Sequence, residues 1–123
     1  MKRELITIDE RGGLNIPTDS NAIWMIETEL AELFGTMVPT IKAAIQAIYK
    51  SSIVQESETK RCMRLLNGNG ADAYNLEMIV VLVFRLNSRQ AAIIRNWLLR
   101  KATIRNPSTI PIIIGSEISR DIC

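Results

Sequence analysis

Between residues 24 and 50, hydrophobic residues recur at the spacing of two short helices that are separated by a glycine. The first helix is predicted over residues 27–34, and Gly35 permits the left-handed conformation that commonly ends a helix. Thr36 is predicted to cap the second helix, and Pro39 falls in its first turn, where the missing N–H costs little. Together these features predict a helix-turn-helix. The side chains predicted to face the core are Leu30, Ala31, Leu33, Phe34, Ile41, Ile45, Ile48 and Tyr49.

Short stretches rich in β-branched and apolar residues precede these helices. Residues 4–8 predict a strand, residues 9–13 a turn, and residues 14–16 a returning strand. Residues 22–25 predict a further short strand that leads into the first helix. The N-terminal part of the chain is therefore expected to form a β-hairpin.

A basic stretch with an Asn-Gly turn follows the two helices. Residues 51–59 predict a polar connection, and residues 60–66 predict a strand that ends in Asn67-Gly68-Asn69-Gly70. Because Asn and Gly tolerate positive φ, this sequence favours a hairpin turn, with residues 71–74 as the returning strand. A basic hairpin directly after a helix-turn-helix is typical of the wing of a winged helix.

Two more helices are predicted over residues 76–86 and 89–103, with Asn75 and Ser88 as their caps. The first is apolar almost all round and is expected to be the central buried helix. Its centre also fits a buried strand by β propensity, but its length and its polar flanks favour a helix. The isoleucine-rich segment that follows fits an edge strand, a partner-binding segment or a partly ordered tail.

These elements predict an α+β, mostly helical fold. Its core is winged helix-turn-helix-like, with a short N-terminal β-hairpin, a β-hairpin wing and two further C-terminal helices. We divide the chain into an N-terminal hairpin and turn (residues 1–21), the winged helix-turn-helix-like domain (residues 22–105) and an Ile-rich tail (residues 106–123).

The composition indicates a globular chain without an obvious catalytic centre. Hydrophobic residues make up 47% of its 123 residues and charged residues 23%. Histidine is absent, which removes the usual general base and the commonest metal ligand. The two cysteines, Cys62 and Cys123, form neither a CxxC motif nor a zinc spacing, so they predict free thiols in a reducing compartment. We expect no enzyme activity, no cofactor and no metal site.

The sequence also predicts a cytoplasmic location. The basic start is followed by the charged Glu4 rather than by an apolar region, so no signal peptide is expected. The longest apolar run covers residues 78–84, far short of the roughly 20 residues that span a membrane.

Charge is unevenly distributed along the chain, although the formal net charge is only +2. Residues 36–64 carry five basic and two acidic side chains, and residues 85–105 carry six basic and no acidic ones. Two basic segments fit a phosphate-facing surface. They fit solvated helix faces as well, and charge alone does not decide between the two.

The second helix of the pair carries side chains that can contact DNA. Gln bonds adenine bidentately, Ala and the Thr methyl pack on a thymine methyl, and Lys reaches phosphate or guanine. The alternative is a solvated helix face beside a solvated hairpin. The candidate DNA-binding residues are Thr36, Thr40, Lys42, Ala43, Gln46 and Lys50 on or before that helix, Lys60, Arg61 and Arg64 on the hairpin, and Arg95 and Arg100 on the last helix.

Several stretches together resemble the N-terminal region of the virulence-associated RhuM-like family. They are W-x-x-x-x-x-L-A-E-L-F (residues 24–34), P-T-I-x-x-x-I-x-x-I-Y (residues 39–49), Y-N-L-E-M-I (residues 74–79), F-R-L-N-S (residues 84–88) and R-N-W (residues 95–97). The resemblance implies a small DNA-binding-like domain, and its last part is similar to the end of phage Bro-N antirepressor domains.

This chain departs from the RhuM-like pattern at three places. Ile26 stands where the family usually has a capping Thr, and Met37-Val38 stands where it often has Ser-Arg. The Ile-rich tail replaces the further helical region of longer members. Met37-Val38 lies at the start of the second helix, the one expected to contact DNA bases.

Two functional hypotheses follow. The first is the DNA-binding module of a bacterial or phage-derived transcriptional regulator, with the second helix in the major groove of double-stranded DNA and the hairpin on the backbone. The second is a protein-interaction module, such as an antirepressor or toxin-antitoxin component, without DNA contact. It rests on the apolar Met37-Val38 and on residues 112–114. A homodimer or a protein partner would use residues 107–123 or the last helix.

Overall fold

Five α-helices and five short strands build residues 3–104, the part of the chain that the computed structural model describes. The predicted α+β, mostly helical class is confirmed. The elements are β1 (Thr7–Ile8), β2 (Leu14–Asn15), β3 (Trp24–Ile26), α1 (Glu27–Phe34), α2 (Val38–Ser51), α3 (Glu56–Thr59), β4 (Lys60–Arg64), β5 (Gly70–Asn75), α4 (Leu76–Arg85) and α5 (Arg89–Ile104), with a 3-10 turn at Ser20–Ala22 before β3.

The strands form two small antiparallel sheets. The N-terminal hairpin pairs β1 with β2, as the sequence predicted. The second sheet has the order β3-β5-β4, so the strand that precedes the helix pair lies beside the second strand of the later hairpin. That hairpin is confirmed as well, with Arg64 opposite Gly70 and with Gly68 at φ 90° in its turn.

The turn between α1 and α2 depends on Gly35. This residue has φ 64° and ψ 38°, in the left-handed region, and its N–H donates to the Glu32 carbonyl at 3.2 Å. The next N–H, that of Thr36, donates to the Ala31 carbonyl at 2.9 Å and so helps to end α1. The prediction that Thr36 caps α2 is therefore wrong. Met37 occupies the N-cap position and supplies no side-chain hydrogen bond.

The hydrophobic stripes predicted on α1 and α2 face the core. Leu30, Phe34, Ile41 and Ile48 are fully buried, whereas Tyr49 is half-buried. Pro39 lies in the first turn of α2, as expected. The two helices thus bury their apolar faces against each other and against the rest of the domain.

Helix α4 packs against α2, α5 and β5, but it is not buried all round as its composition suggested. Its buried face carries Met78, Ile79, Leu82 and Val83, while Phe84 is 51% exposed. The predicted caps of the last two helices are confirmed. The Met78 N–H donates to the Asn75 side chain at 3.3 Å, and the Ala91 N–H donates to the Ser88 hydroxyl at 3.1 Å.

The segment predicted as a polar connection contains the single-turn helix α3. Thr59 ends it and is completely buried. Its buried hydroxyl is satisfied, because it donates to the Gln55 carbonyl at 2.8 Å and hydrogen-bonds the Tyr49 hydroxyl at 2.8 Å. Val54 is also buried. No hydrophobic period marks so short a segment, which is why the sequence pattern missed it.

The start of the described chain is tied to α1 through Arg3. Its guanidinium binds both carboxylate oxygens of Glu29, at 2.6 and 2.8 Å, and donates to the Trp24 carbonyl at 3.0 Å. Glu29 in turn accepts the Ile26 N–H at 2.9 Å, so it closes the first turn of α1 although Ile26 has no capping side chain. The predictions for the tail, residues 106–123, lie outside the described residues.

Replacing Ile48 with Ala should lower the free energy of unfolding by about 2–5 kcal/mol, because it leaves a cavity under α2. Ile48 is 0% exposed. Ile53→Ala is the matched control, since Ile53 is 62% exposed and its truncation should cost under about 0.5 kcal/mol. Urea unfolding followed by circular dichroism measures both. Equal losses in the two variants would contradict this packing.

Candidate nucleic-acid interface

Helix α2 presents a polar face to solvent, opposite its buried isoleucines. Ala43, Gln46 and Lys50 lie along the centre of this face at helical spacing, with Thr40 on one flank and Lys42 on the other. All five are exposed. The structure therefore brings the predicted α2 residues together on one surface, whereas Thr36 is half-buried in the preceding turn.

A cleft separates the Lys42 flank of α2 from the three-stranded sheet. Its walls come from α1, α2, α3, β4 and β5, which are distant in sequence. Its lining is largely polar and contains three carboxylates, two lysines and two tyrosines. These residues are Glu27, Lys42, Gln46, Tyr49, Glu56, Lys60, Asp72 and Tyr74, together with Ile45.

Both lysines of the cleft face carboxylates. The Lys42 ammonium lies 3.9 Å from the Glu27 carboxylate. The Lys60 ammonium lies 2.5 Å from Glu56 and 3.8 Å from Asp72. The hydrogen bond with Glu56 raises the pKa of Lys60. Two predicted phosphate contacts are therefore neutralised within the fold.

The two tyrosines fix polar groups on the cleft wall. The Tyr74 hydroxyl donates to the Glu27 carboxylate at 3.3 Å. Burial, and next the nearby Glu27 carboxylate, raises the pKa of Tyr74 above its ordinary value. Burial also raises the pKa of Tyr49, whose hydroxyl meets Thr59. Both hydroxyls therefore keep their protons at neutral pH.

The three cations of the hairpin do not share one surface. Successive side chains of a strand point to opposite faces, so Lys60 and Arg64 lie on one face of the sheet and Arg61 on the other. The Arg61 guanidinium stacks on the Trp24 ring, 4.3 Å from its centroid. Arg64 donates to the Gly68 carbonyl at 3.0 Å and is exposed near the hairpin turn.

The two arginines predicted on the last helix have different surroundings. Arg95 is half-buried and donates to the Val83 carbonyl near the end of α4, at 3.4 Å. Arg100 is exposed. Helix α5 packs against α4 and α1, so Arg95 has a contact within the fold that the sequence did not indicate.

Part of this arrangement has a signal in the sequence. Glu56 and Lys60 are four residues apart, a spacing at which opposite charges commonly meet. Asp72 faces Lys60 because β4 and β5 pair, so this contact follows from the hairpin that the Asn-Gly turn predicts. Glu27 has no such signal. It reaches the cleft only because β3 pairs with β5, which places the start of α1 beside the hairpin.

Within residues 3–104 no group of three or more His, Cys, Asp or Glu residues is arranged to hold a metal ion. The helices of the same part of the chain are too short or too polar to cross a membrane. Cys62 is a free, exposed thiol, and Cys123 lies outside the described residues.

Comparison of the chain with protein-family models found no match, and comparisons with curated proteins and with solved structures found no significant match. The resemblance to the RhuM-like family therefore stays a prediction that rests on its motifs.

The burial of Tyr74 predicts a loss of stability in alkali. Above about pH 10 the tyrosines of the unfolded chain ionise while folded Tyr74 keeps its proton, so the free energy of unfolding should fall by up to about 1.4 kcal/mol per pH unit. The contribution is fully present below that pH and is lost as the pH approaches the raised pKa. Tyr74→Phe should flatten the fall more than Tyr49→Phe, because Tyr49 is less buried.

Denaturant unfolding at several pH values measures this dependence, and the ultraviolet absorbance of tyrosinate reports ionisation directly. An unchanged pH dependence in Tyr74→Phe would contradict the burial of that hydroxyl.

Proposed function

We propose that this chain is a winged helix-turn-helix-like DNA-binding module of a transcriptional regulator that acts in the bacterial cytoplasm. Helix α2 lies in the major groove of double-stranded DNA, α1 crosses the backbone, and the β4–β5 hairpin acts as the wing. The observation that carries the proposal is the strand order β3-β5-β4 around the α1–α2 pair, combined with the exposed polar face of α2.

The order of elements supports this assignment. A strand, two helices joined by a turn at Gly35, and a hairpin follow one another, and the strand pairs with the second strand of the hairpin. This arrangement sets the hairpin beside α2, so one duplex can contact both. The helix is 14 residues long, enough to cross a major groove of about 12 Å.

The chemistry of the α2 face supports base reading more than phosphate binding. Gln46 suits adenine, while Ala43 and Thr40 offer methyl groups to a thymine methyl. Lys50 lies at the C-terminal end of the same face and suits a phosphate, and Arg64 near the hairpin turn suits a second. With so few cations, a single domain should bind weakly, and a dimer on two half-sites would bind more tightly.

Lys50→Met should weaken binding to a random duplex and lower the slope of log K against log salt by about 0.9, because one phosphate contact is lost. Arg11→Gln is the matched control. It removes the same charge from the turn between β1 and β2, outside the proposed interface, and should leave the slope unchanged.

Fluorescence anisotropy between low and moderate salt measures both slopes. Absence of binding at low salt would overturn the proposed function. Equal slopes for Lys50→Met and Arg11→Gln would remove α2 from the interface.

A protein-interaction module is the second candidate, and one observation favours it. Met37, 72% exposed, stands at the entrance of α2, and Leu66 on the hairpin turn is fully exposed. Exposed large apolar side chains suit a protein-binding surface. Light-scattering mass with and without Met37→Ser separates the candidates. A complex that Met37→Ser dissociates, in a chain that does not bind DNA at low salt, would establish the second.

A further inference from the structure

Glu27 connects the three-stranded sheet to α2, the helix that we place in the major groove. It is the first residue of α1, its carboxylate accepts the Tyr74 hydroxyl at 3.3 Å, and it lies 3.9 Å from the Lys42 ammonium. Its side chain is 24% exposed, whereas that of Lys42 is 58% exposed. The carboxylate is thus hydrogen-bonded to the sheet, and the lysine is the more exposed partner.

Lys42 cannot pair with Glu27 and with a DNA phosphate at the same time. It lies one helical turn before Gln46, on the cleft flank of the α2 face. A duplex on that face would have to draw the ammonium away from Glu27. The carboxylate would then lie near the negatively charged DNA backbone without its cation. Lys60 is held in a similar way by Glu56 and Asp72 on the opposite wall.

We propose that Glu27 is an intramolecular competitor of DNA phosphate for Lys42, and that it sets the selectivity of the domain; this inference rests on the proposed function. Binding to random sequence consists mainly of phosphate contacts, so a lysine withheld from phosphate weakens it. A cognate site selected in the presence of Glu27 is bound mainly through base contacts from α2, in a register that does not need Lys42 on a phosphate, so the withheld lysine costs that complex less. Glu27 therefore widens the ratio between specific and non-specific affinity. It does so by weakening binding to random DNA rather than by adding a contact to the cognate site.

Tyr74 is the positioning residue for this carboxylate. Its hydroxyl donates to Glu27 at 3.3 Å, which favours a position of the carboxylate on the sheet side of the cleft rather than towards a bound duplex.

The test is Glu27→Gln, which removes the charge and keeps an acceptor for Tyr74. Affinity for a random duplex at low salt should rise about threefold, as expected for release of an exposed ion pair. The salt slope should steepen by up to about 0.9, because Lys42 then contacts a phosphate. A duplex selected by the wild-type protein should gain less, so the specificity ratio should fall.

Glu32→Gln is the matched control, since it removes the same charge from the same helix and Glu32 lines a different cleft, beside the N-terminal strand and α5. It should change affinity much less. Adding Lys42→Met to Glu27→Gln should return affinity and slope to wild-type values. The Lys42 side-chain nitrogen resonance should shift with random duplex in Glu27→Gln and stay unchanged in the wild type.

The outcomes separate the inference from the function beneath it. Wild-type binding with equal gains from Glu27→Gln and Glu32→Gln overturns the role of Glu27 and leaves DNA binding intact. Absence of binding in every variant, each shown to be folded by thermal unfolding, overturns both.

Discussion

The pairing of β3 with β5 is the constraint on which the rest of the structure depends. Its register sets Trp24 opposite Asn75, Met25 opposite Tyr74 and Ile26 opposite Ala73. Helix α1 begins directly after Ile26, and α4 begins directly after Asn75. One short antiparallel ladder therefore fixes where two helices leave the sheet. Because antiparallel strands run in opposite directions, these helices leave from opposite ends of the ladder.

That ladder also determines the chemistry beside α2. It brings Glu27, the first residue of α1, to the Tyr74 hydroxyl. The other edge of β5 pairs with β4 and sets Lys60 opposite Tyr74. The result is a cleft in which lysines from α2 and β4 each face a carboxylate from another element. The proposed DNA binding rests on the arrangement of the elements more than on the charge of the surface, and the proposed role of Glu27 in selectivity accounts for that difference.

Local signals predicted most of the elements. The periods of hydrophobic residues gave α1 and α2, the Asn-Gly turn gave the β4–β5 hairpin, and polar residues before apolar runs gave the caps of α4 and α5. Each of these depends on residues within a few positions of one another.

The predictions for Thr36 and for residues 51–59 were wrong, because contacts that residue type and spacing do not show decide the structure there. Thr36 suits a cap by type, but its N–H is used to end the preceding helix. Helix α3 is too short for a period, and its buried Thr59 depends on Tyr49 from another helix.

The sequence by itself determined helices α1, α2, α4 and α5, the hairpins and which face of α2 is exposed, because hydrophobic spacing and turn chemistry act along the chain. For most of the basic residues, only the tertiary structure decided which charges remain available; the Glu56–Lys60 pair is the exception, because its four-residue spacing signals it. Lys42, Lys60 and Arg95 have the same formal charge as Lys50 in the sequence, but the first two meet carboxylates and Arg95 binds the Val83 carbonyl. Coulomb energy depends on distance in space. Glu27 is 15 residues from Lys42 along the chain and meets it only because α1 and α2 pack together beside the sheet, so no local pattern contains that information.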